Sequence, residues 1–240
     1  MKANDHEAEN MTRAEDQRPK TSDVVAIILA AGQSSRMGAF KPLLPFGDKT
    51  VIEHTIDYLR GGGVETMIVV AGHRADEVRA HLKNGEVIFA TNPDPHSAMA
   101  TSIICGLREL PRDVRAVVIT PVDHPAVPHE VVSQLINEWR EGARLVIPTS
   151  DGRGGHPVLI DLSFRAELLG LDPNLGLKSF FAAHHNEVKR LAVNSNYIAR
   201  DMDTWDDYQS LHHEVFGVLP TKEHLPEQQA IKSRTRDETN

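Results

Sequence analysis

The sequence contains very little cysteine and no long apolar run. Cys105 is the only cysteine in 240 residues, which excludes an intrachain disulfide and a cysteine-rich metal site. No apolar stretch approaches the roughly 18 to 20 residues needed to span a bilayer, and the N-terminus lacks an apolar signal segment. We therefore expect a cytoplasmic protein that has no membrane partner.

An excess of positive charge is also missing. The chain has 26 Lys and Arg residues against 34 Asp and Glu residues, which gives a formal net charge of −8. No global basic field exists to attract a nucleic-acid backbone, so a nucleic-acid partner is not expected. Any phosphate must be bound by local groups.

The two ends of the chain differ in composition from its middle. Residues 1–22 and 217–240 are charged and poor in large apolar side chains, so they cannot offset the entropy of being ordered. We predict that both segments are flexible tails. The remaining segment, 23–216, has the length of one α/β domain with a single sizeable core.

Short apolar runs alternate with amphipathic stretches in this segment, which is typical of βα units on a mostly parallel sheet. The predicted strands are Val24–Leu29, Thr66–Ala71, Val87–Ala90, Ala116–Thr120, Leu145–Ile147, Val158–Ile160 and Lys189–Val193. The predicted helices are Val51–Leu59, Ala75–Lys83, Ala98–Leu110 and Glu130–Glu141. Thr50, with Glu53 three residues later, predicts a capping box at the start of the first helix. We therefore predict a Rossmann-like three-layer αβα fold whose ligands bind at the carboxyl ends of the strands.

The loop after the first strand has the composition of a phosphate-binding turn. Residues 30–32 (Ala-Ala-Gly) are small enough for a ligand to approach the backbone closely. Ser34 and Ser35 follow as hydrogen-bond donors, and Arg36 and Lys41 follow as cations that suit a triphosphate. The glycine spacing fits neither a P-loop nor a G-x-G-x-x-G motif. The alternative is a solvated loop whose cations point outward.

This loop resembles the signature of the MobA-like NTP transferases, most closely that of the molybdenum cofactor cytidylyltransferases, through Leu29-Ala30-Ala31-Gly32-x-Ser34-x-Arg36-Met37-Gly38-x-x-Lys41. The resemblance implies the nucleotidyltransferase form of the three-layer fold. It implies that Arg36 and Lys41 act catalytically by neutralising an NTP triphosphate. Ala31 stands where the related guanylyltransferases have glycine, which favours CTP. The implied nucleotide-binding residues are Leu29, Ala30, Ala31, Gly32, Ser34, Ser35, Arg36, Lys41, Gly72, Asn92 and Ser102.

Two carboxylates are candidates for a metal site. Asp123 follows a buried strand and lies in a turn between two prolines, which holds it rigidly. By resemblance to the D-x-P turn of the family, Asp123 is the principal ligand of a catalytic Mg²⁺. Asp203 is the expected second ligand, with Asp201 as its neighbour or substitute. The alternatives are a helix-capping or turn role for Asp123, and an N-cap role for Asp203 in which Thr204 is a rival.

The acceptor side of the site is expected near residues 152–159, which resemble the G-R-x-G-H-P-V element of the family. The resemblance implies that Arg153, Gly155 and His156 contact the acceptor, with His156 as a hydrogen-bonding partner of its phosphate. The alternative is a buried histidine that only orients the loop. Lys178 is a further candidate, although it stands where the family has arginine and so lacks bidentate phosphate recognition. Ala98 also replaces a family glycine.

These features predict a nucleotidyltransferase that uses Mg²⁺ to transfer CMP from CTP to a phosphorylated small-molecule acceptor with release of pyrophosphate. The favoured acceptor is molybdopterin carrying molybdenum, and a molybdoenzyme of the xanthine dehydrogenase type is the expected recipient of the product. Transfer to a sugar or polyol phosphate is the enzymatic alternative. A molybdenum cofactor insertion chaperone without turnover is the alternative from another class of protein.

Overall fold

A mostly parallel sheet of eight strands lies at the centre of the protein. The structure is a computed structural model and describes residues 23–32, 37–72, 74–82, 87–94 and 97–220. In chain order its strands are β1 (Val24–Ala30), β2 (Pro45–Phe46), β3 (Lys49–Thr50), β4 (Thr66–Ala71), β5 (Val87–Thr91), β6 (Ala116–Pro121), β7 (Leu145–Ser150), β8 (Arg153–Gly154), β9 (Val158–Asp161) and β10 (Val188–Ala192). The order across the main sheet is β10-β7-β9-β6-β1-β4-β5, with β8 paired to β7, while β2 and β3 form a separate hairpin.

Helices cover both faces of this sheet. They are α1 (Val51–Gly61), α2 (Ala75–His81), α3 (Met99–Arg108), α4 (His129–Arg140), α5 (Arg165–Leu169), α6 (Gly176–Ala183) and α7 (Trp205–Phe216), with 3₁₀ turns at Lys41–Leu43, Leu162–Phe164 and Asn196–Ala199. The core on one face takes side chains from α1, α4 and α7, and the core on the other face takes side chains from α3, α5 and α6. The three-layer αβα nucleotidyltransferase fold with a mostly parallel sheet is therefore confirmed.

The central strand β1 joins the two cores. All seven of its residues are buried. Val24, Ala26 and Ile28 face the core beneath α1 and α4, whereas Val25 and Ile27 face the core beneath α3. Because successive side chains of a strand point to opposite faces, a continuous apolar run is what a strand covered on both sides requires.

The strand directions bring several loops to one edge of the sheet. Strand β1 pairs in parallel with β4 on one side and with β6 on the other, and β4 pairs in parallel with β5. Strand β9 is antiparallel to both β6 and β7. One edge of the sheet therefore carries the carboxyl ends of β1, β4, β5 and β6 together with the amino end of β9.

The sequence predicted these elements with small errors in their bounds. The predicted strands are present, and the predicted capping box of α1 is formed, since Glu53 Oε2 accepts hydrogen bonds from Thr50 N at 2.8 Å and from Thr50 Oγ1 at 2.6 Å. Helix α3 (Met99–Arg108) lies within the predicted helix Ala98–Leu110. The β2–β3 hairpin and helix α5 were not predicted, because both are too short to show a periodic pattern.

The chain ends are described only in part. Residues 1–22 and 221–240, which the sequence analysis assigned to flexible tails, lie outside the described residues. Gly217 follows α7 with φ 73°, a left-handed conformation that suits glycine at a helix end. In the described part of the chain, no helix combines the length and apolar character needed to cross a membrane.

We predict that residues 1–22 and 217–240 are dispensable for folding. Cutting the protein to residues 23–216 keeps α7 but removes the contact between His212 Nδ1 and the Val218 carbonyl at 2.7 Å. We therefore expect the free energy of unfolding to fall by only about 1 kcal/mol, the value of one hydrogen bond. Urea unfolding followed by circular dichroism measures this, and loss of a cooperative transition would contradict the proposed boundaries.

Candidate active site

The loops after three neighbouring strands touch one another at the carboxyl edge of the sheet. Ala31 follows β1 and Gly72 follows β4, and an added Cβ on Gly72 would lie 2.8 Å from the Ala31 carbonyl oxygen. The backbone N–H of Asn92, after β5, donates to the Ala71 carbonyl at 2.9 Å. Glycine at position 72 is thus required by close backbone approach. Three predicted nucleotide-binding positions are therefore neighbours in space.

Asn92 and Ser102 form a buried hydrogen-bonded pair behind this edge. The Asn92 side-chain amide donates to Ser102 Oγ at 2.9 Å and to Ser97 Oγ at 2.8 Å, and its carbonyl oxygen accepts from the Asp94 backbone. These bonds fix the loop between β5 and α3. A nucleotide contact from either side chain stays a prediction.

Lys41 connects the two predicted metal ligands. Its Nζ atom donates to Asp123 Oδ2 at 3.0 Å and to Asp203 Oδ1 at 2.8 Å. The lysine is 6% exposed, which is low for a charged residue. Side chains from three distant parts of the chain therefore form one ionic cluster at the carboxyl edge.

Helix α7 holds the segment before it against the loop that carries Lys41. Trp205 Nε1 donates to the Met37 carbonyl at 2.9 Å, and the Tyr208 hydroxyl donates to the Pro45 carbonyl at 2.6 Å. These two bonds lie on either side of Lys41 in the sequence. They fix the entry of α7, and therefore Asp203, beside the lysine.

The capping alternatives for the two carboxylates are wrong. Thr204, not Asp203, is the N-cap of α7, and its hydroxyl accepts from the Asp207 backbone N–H at 3.1 Å. Helix α4, which follows Asp123, has Pro128 at its N-cap. Both aspartates instead direct carboxylate oxygens to Lys41.

The electrostatics of the cluster favour the charged forms of Lys41 and Asp123. Burial acts to lower the pKa of Lys41, but attraction to Asp123 and hydrogen bonds to both carboxylates outweigh it, so the pKa is raised. Burial likewise acts to raise the pKa of Asp123, but the hydrogen bond and charge of His124 and the charge of Lys41 lower it to about 2. At neutral pH the lysine is therefore protonated and Asp123 is ionised.

His124 and His156 extend the cluster toward the acceptor side. His124 Nδ1 lies 3.0 Å from Asp123 Oδ1, and the two imidazole rings meet edge to face at 5.2 Å between centroids. Burial, with the nearby charge of His124, lowers the pKa of His156 to about 4. His156 is therefore neutral at physiological pH.

The Nδ1 atom of His156 is buried and has no hydrogen-bond partner within the described residues. This nitrogen is therefore available to a bound molecule. The predicted contact between His156 and an acceptor phosphate stays a prediction.

The cluster of Lys41, Asp123 and Asp203 has the donors that a hard cation requires. Two carboxylate oxygens from separate segments already converge on one positive charge, the ammonium group of Lys41. Over the described ranges, no group of three or more His, Cys, Asp or Glu side chains forms a complete protein cage for a metal. A pair of carboxylates fits Mg²⁺, which takes one or two protein carboxylates and completes its shell with water and phosphate oxygens.

A cleft of about 1100 Å³ opens beside this cluster. It reaches from Asp123 and Asp203, past Gly155 and His156, to α6 and β10. One wall is apolar and is formed by Met99, Ile147, Leu175, Leu177 and Phe181. Met99 and Leu175 are 53% and 59% exposed, so this wall contains large apolar side chains open to solvent.

Three of the four predicted acceptor residues line this cleft, namely Gly155, His156 and Lys178. Lys178 lines it from α6. Gly155 lines it where the chain passes Ile198, since an added Cβ on Gly155 would lie 2.2 Å from the Ile198 carbonyl oxygen. Arg153 is exposed on β8 and is not among the residues lining the cleft, so its assignment to the acceptor is not supported. Adjacent strand positions face opposite sides, and Gly154 is the one that faces the cleft.

Sequence reasoning missed Arg190, the second cation of the cleft. Arg190 on β10 pairs in register with Ile147 on β7, and an added Cβ on Gly154 would lie 4.0 Å from Arg190 Nη1. Its neighbour Lys189 instead reaches Glu138 on α4 at 3.3 Å, on the opposite face of the sheet. Successive side chains of β10 alternate between the two faces of the sheet, and this alternation is the sequence signal that separates Arg190 from Lys189. The side chains of Lys178 and Arg190 form no hydrogen bond or ion pair with the described residues.

Ser34, Ser35 and Arg36, predicted to bind the nucleotide, lie outside the described residues. The other positions of that loop flank the site. Leu29 and Ala30 end β1, and Gly32 is exposed, with no atom of the described residues within 4 Å of the position that a Cβ would take.

A pair of carboxylates at the carboxyl edge of the sheet, beside a glycine-containing loop on a three-layer α/β fold, is typical of a nucleotidyltransferase. A family model described as the MobA-like NTP transferase domain matches residues 26–188. The chain belongs to the MobA-like NTP transferase family.

Individual relatives are more distant. The chain is 25% identical over 190 residues to the molybdenum cofactor cytidylyltransferase of Escherichia coli K12, which covers 78% of this chain and 94% of that protein. It is 38% identical over 114 residues to the bifunctional IPC transferase and DIPP synthase of Rubrobacter xylanophilus. This match covers 45% of this chain but only 26% of the length of that relative. The manganese complex of Rv0371c from Mycobacterium tuberculosis H37Rv has a TM-score of 0.70 and 26% identity, covering 80% of this chain and 99% of that one.

We predict that Asp123→Asn destabilises the nucleotide-free protein by about 1.5–3 kcal/mol, because buried Lys41 loses a hydrogen bond to a charged group. The pKa of Asp123 is depressed to about 2, so its stabilisation is present at neutral pH and is lost only as the pH falls toward that value. Urea unfolding at neutral pH measures the difference.

Asp57→Asn is the matched control, since Asp57 also pairs with a lysine, Lys49, but in an exposed position. Exposed pairs contribute about 0–1 kcal/mol, so this variant should unfold almost as the natural protein does. Equal stability of the Asp123→Asn variant and the natural protein would contradict the role of the cluster.

Proposed function

We propose that the protein transfers CMP from CTP to molybdopterin carrying molybdenum, with Mg²⁺ as cofactor and pyrophosphate as leaving group. The observation that carries the proposal is the cluster of Lys41, Asp123 and Asp203 between the nucleotide loops and the cleft. A phosphoryl-type transfer depends on positioning and on stabilising charge, and this cluster offers both cationic and metal-binding groups at one place.

The proposed reaction needs no protein nucleophile. An oxygen of the acceptor phosphate attacks the α-phosphorus of CTP, the bond to the bridging oxygen of the β-phosphate breaks, and its electron pair leaves with pyrophosphate. Asp123 and Asp203 would hold Mg²⁺, which supplies positive charge to the phosphates when bound. The manganese complex of the Mycobacterium tuberculosis neighbour supports a divalent cation at this fold.

Each half of the site then has its own task. Ala31, Gly32 and Gly72 allow the triphosphate to approach the backbone, and Lys41 with Arg36 neutralises it. Asp123 is held by His124 through the oxygen that Lys41 does not use, which orients the carboxylate toward the shared edge. Asp203 reaches Lys41 from the segment before α7.

CTP is supported by Ala31, which matches the cytidine form of the signature. It is also supported by the E. coli relative, a cytidylyltransferase that the chain matches over most of both lengths.

The chemistry of the cleft supports a pterin rather than a sugar. Its wall of Met99, Leu175 and Phe181 offers apolar surface to a flat ring, whereas a sugar or polyol phosphate presents hydroxyl groups that need polar partners. Lys178 and Arg190 add two cations without ion-pair partners in the described segments. We propose that Arg190 supplies the bidentate phosphate contact that Lys178 lacks. A molybdoenzyme of the xanthine dehydrogenase type would then receive the product.

We predict that pyrophosphate is released from CTP in the presence of Mg²⁺ and molybdenum-loaded molybdopterin, and more slowly from GTP. CTP with Mg²⁺ should also raise the melting temperature more than GTP, since a ligand at about 100 times its Kd adds about 2.7 kcal/mol. Asp123→Asn should reduce turnover by about 10²- to 10³-fold.

The same assay separates the alternatives. A preference for GTP would contradict the base assignment and leave the reaction class intact. Turnover with a sugar or polyol phosphate but not with molybdopterin would contradict the acceptor. Tight molybdopterin binding without pyrophosphate release would instead indicate the insertion chaperone.

We predict that Arg190→Gln raises the KM for the acceptor by about tenfold or more and leaves the KM for CTP unchanged, since a hydrogen bond to a charged group contributes about 1.5–3 kcal/mol. Lys189→Gln is the matched control, because Lys189 lies on the same strand but pairs with Glu138 on the opposite face. Steady-state kinetics with each substrate varied in turn measure the effect. Equal acceptor KM values in the two variants would remove Arg190 from the site.

A further inference from the structure

We propose that Lys41 acts as an internal counter-ion that keeps the metal site closed until an NTP arrives, so that the divalent cation and the nucleotide bind as a coupled pair. This inference rests on the proposed function, since it concerns the same metal and nucleotide. It goes further because it assigns an order to their binding and gives Lys41 a role before any nucleotide is present.

The position of the ammonium group is the first observation. Lys41 Nζ bonds Asp123 Oδ2 at 3.0 Å and Asp203 Oδ1 at 2.8 Å, and these oxygens are the ones that converge in the nucleotide-free protein. A cation that uses the same two oxygens must displace the lysine. The metal therefore competes with a tethered positive charge rather than with water alone.

The burial of the lysine makes this displacement unfavourable on its own. Lys41 is 6% exposed, and an ammonium group that leaves two carboxylates in such a place needs a new anionic partner. A triphosphate bound at the adjacent loop after β1 provides that partner. The nucleotide therefore removes the competitor from the metal site, and the metal in turn favours the position of Lys41 that binds the nucleotide.

The local structure permits this exchange without a change of fold. Pro42 follows Lys41 in a 3₁₀ turn, so the backbone is held while the flexible four-carbon side chain moves. Asp123 keeps its hydrogen bond with His124 through Oδ1, and Asp203 precedes a helix capped by Thr204. Both carboxylates therefore stay in place when the ammonium group leaves.

The test measures binding of Mn²⁺, used as the probe, by electron paramagnetic resonance with no acceptor present. In the natural protein, α,β-methylene-CTP, which cannot be cleaved at the reacting bond, should increase the Mn²⁺ affinity by about 5- to 150-fold, the usual range of coupling between two ligands. Lys41→Met should bind Mn²⁺ alone more tightly than the natural protein, by a factor in the same range. The nucleotide should then add little.

Lys49→Met is the matched control, because Lys49 pairs with Asp57 at an exposed site away from the cluster, and its Mn²⁺ affinity should equal that of the natural protein. Lys41→Gln replaces the methionine variant if circular dichroism shows that the latter is unfolded. Equal Mn²⁺ affinity of the natural protein and the neutral Lys41 variant, without nucleotide, would overturn the inference. A second outcome is that the neutral Lys41 variant binds Mn²⁺ more tightly, while the CTP analogue does not change the Mn²⁺ affinity of the natural protein. This outcome would support Lys41 as the counter-ion that closes the metal site, and it would contradict CTP as the nucleotide.

Discussion

Two carboxylates are held at one point of this protein by a single buried lysine. Asp123 and Asp203 come from the loop after β6 and the segment before α7, and both direct an oxygen to Lys41. Without a cation between them, two neighbouring carboxylates would repel each other. His124 and the lysine lower the pKa of Asp123 to about 2, and the bonds from Trp205 and Tyr208 to the preceding loop keep Asp203 within reach of Lys41. The lysine therefore neutralises a pair of carboxylates that the surrounding structure already holds close together.

The direction of one strand explains why the acceptor side meets this cluster. Strand β9 runs antiparallel to β6, so the chain enters β9 at the edge where the parallel strands end. Gly155 and His156, which precede β9, therefore lie beside Asp123, which follows β6. If β9 ran parallel, the same residues would lie at the opposite edge. The loops that are predicted to bind the nucleotide lie on the β1-β4-β5 side and the cleft lies on the β9-β7-β10 side, with Asp123 between them.

The sequence predicted what depends on local pattern and failed where only the tertiary structure decides. The buried run of β1 and the capping box of α1 are local features, and both were predicted correctly. Whether Asp203 or Thr204 caps α7 could not be decided, because both residue types form caps and only the position of Lys41 separates them. Arg190 was missed because the sequence does not show which face of the edge strand β10 borders the cleft. The contact between Arg153 and the acceptor stays a prediction, since Arg153 is exposed on β8 and does not line the cleft.

The two halves of the site differ in how much a substitution would lower the stability of the protein. Ala31, Asn92 and Ser102, which are predicted to bind the nucleotide, are buried, and an added methyl on Gly72 would meet the backbone of Ala31, so changes there act on the core. The rim of the cleft is built from exposed side chains, Met99, Leu175, Lys178 and Arg190, whose replacement changes little of the packing. Under the proposed function, a change of acceptor would therefore need substitutions at this rim only, while the cluster of Lys41, Asp123 and Asp203 stays intact.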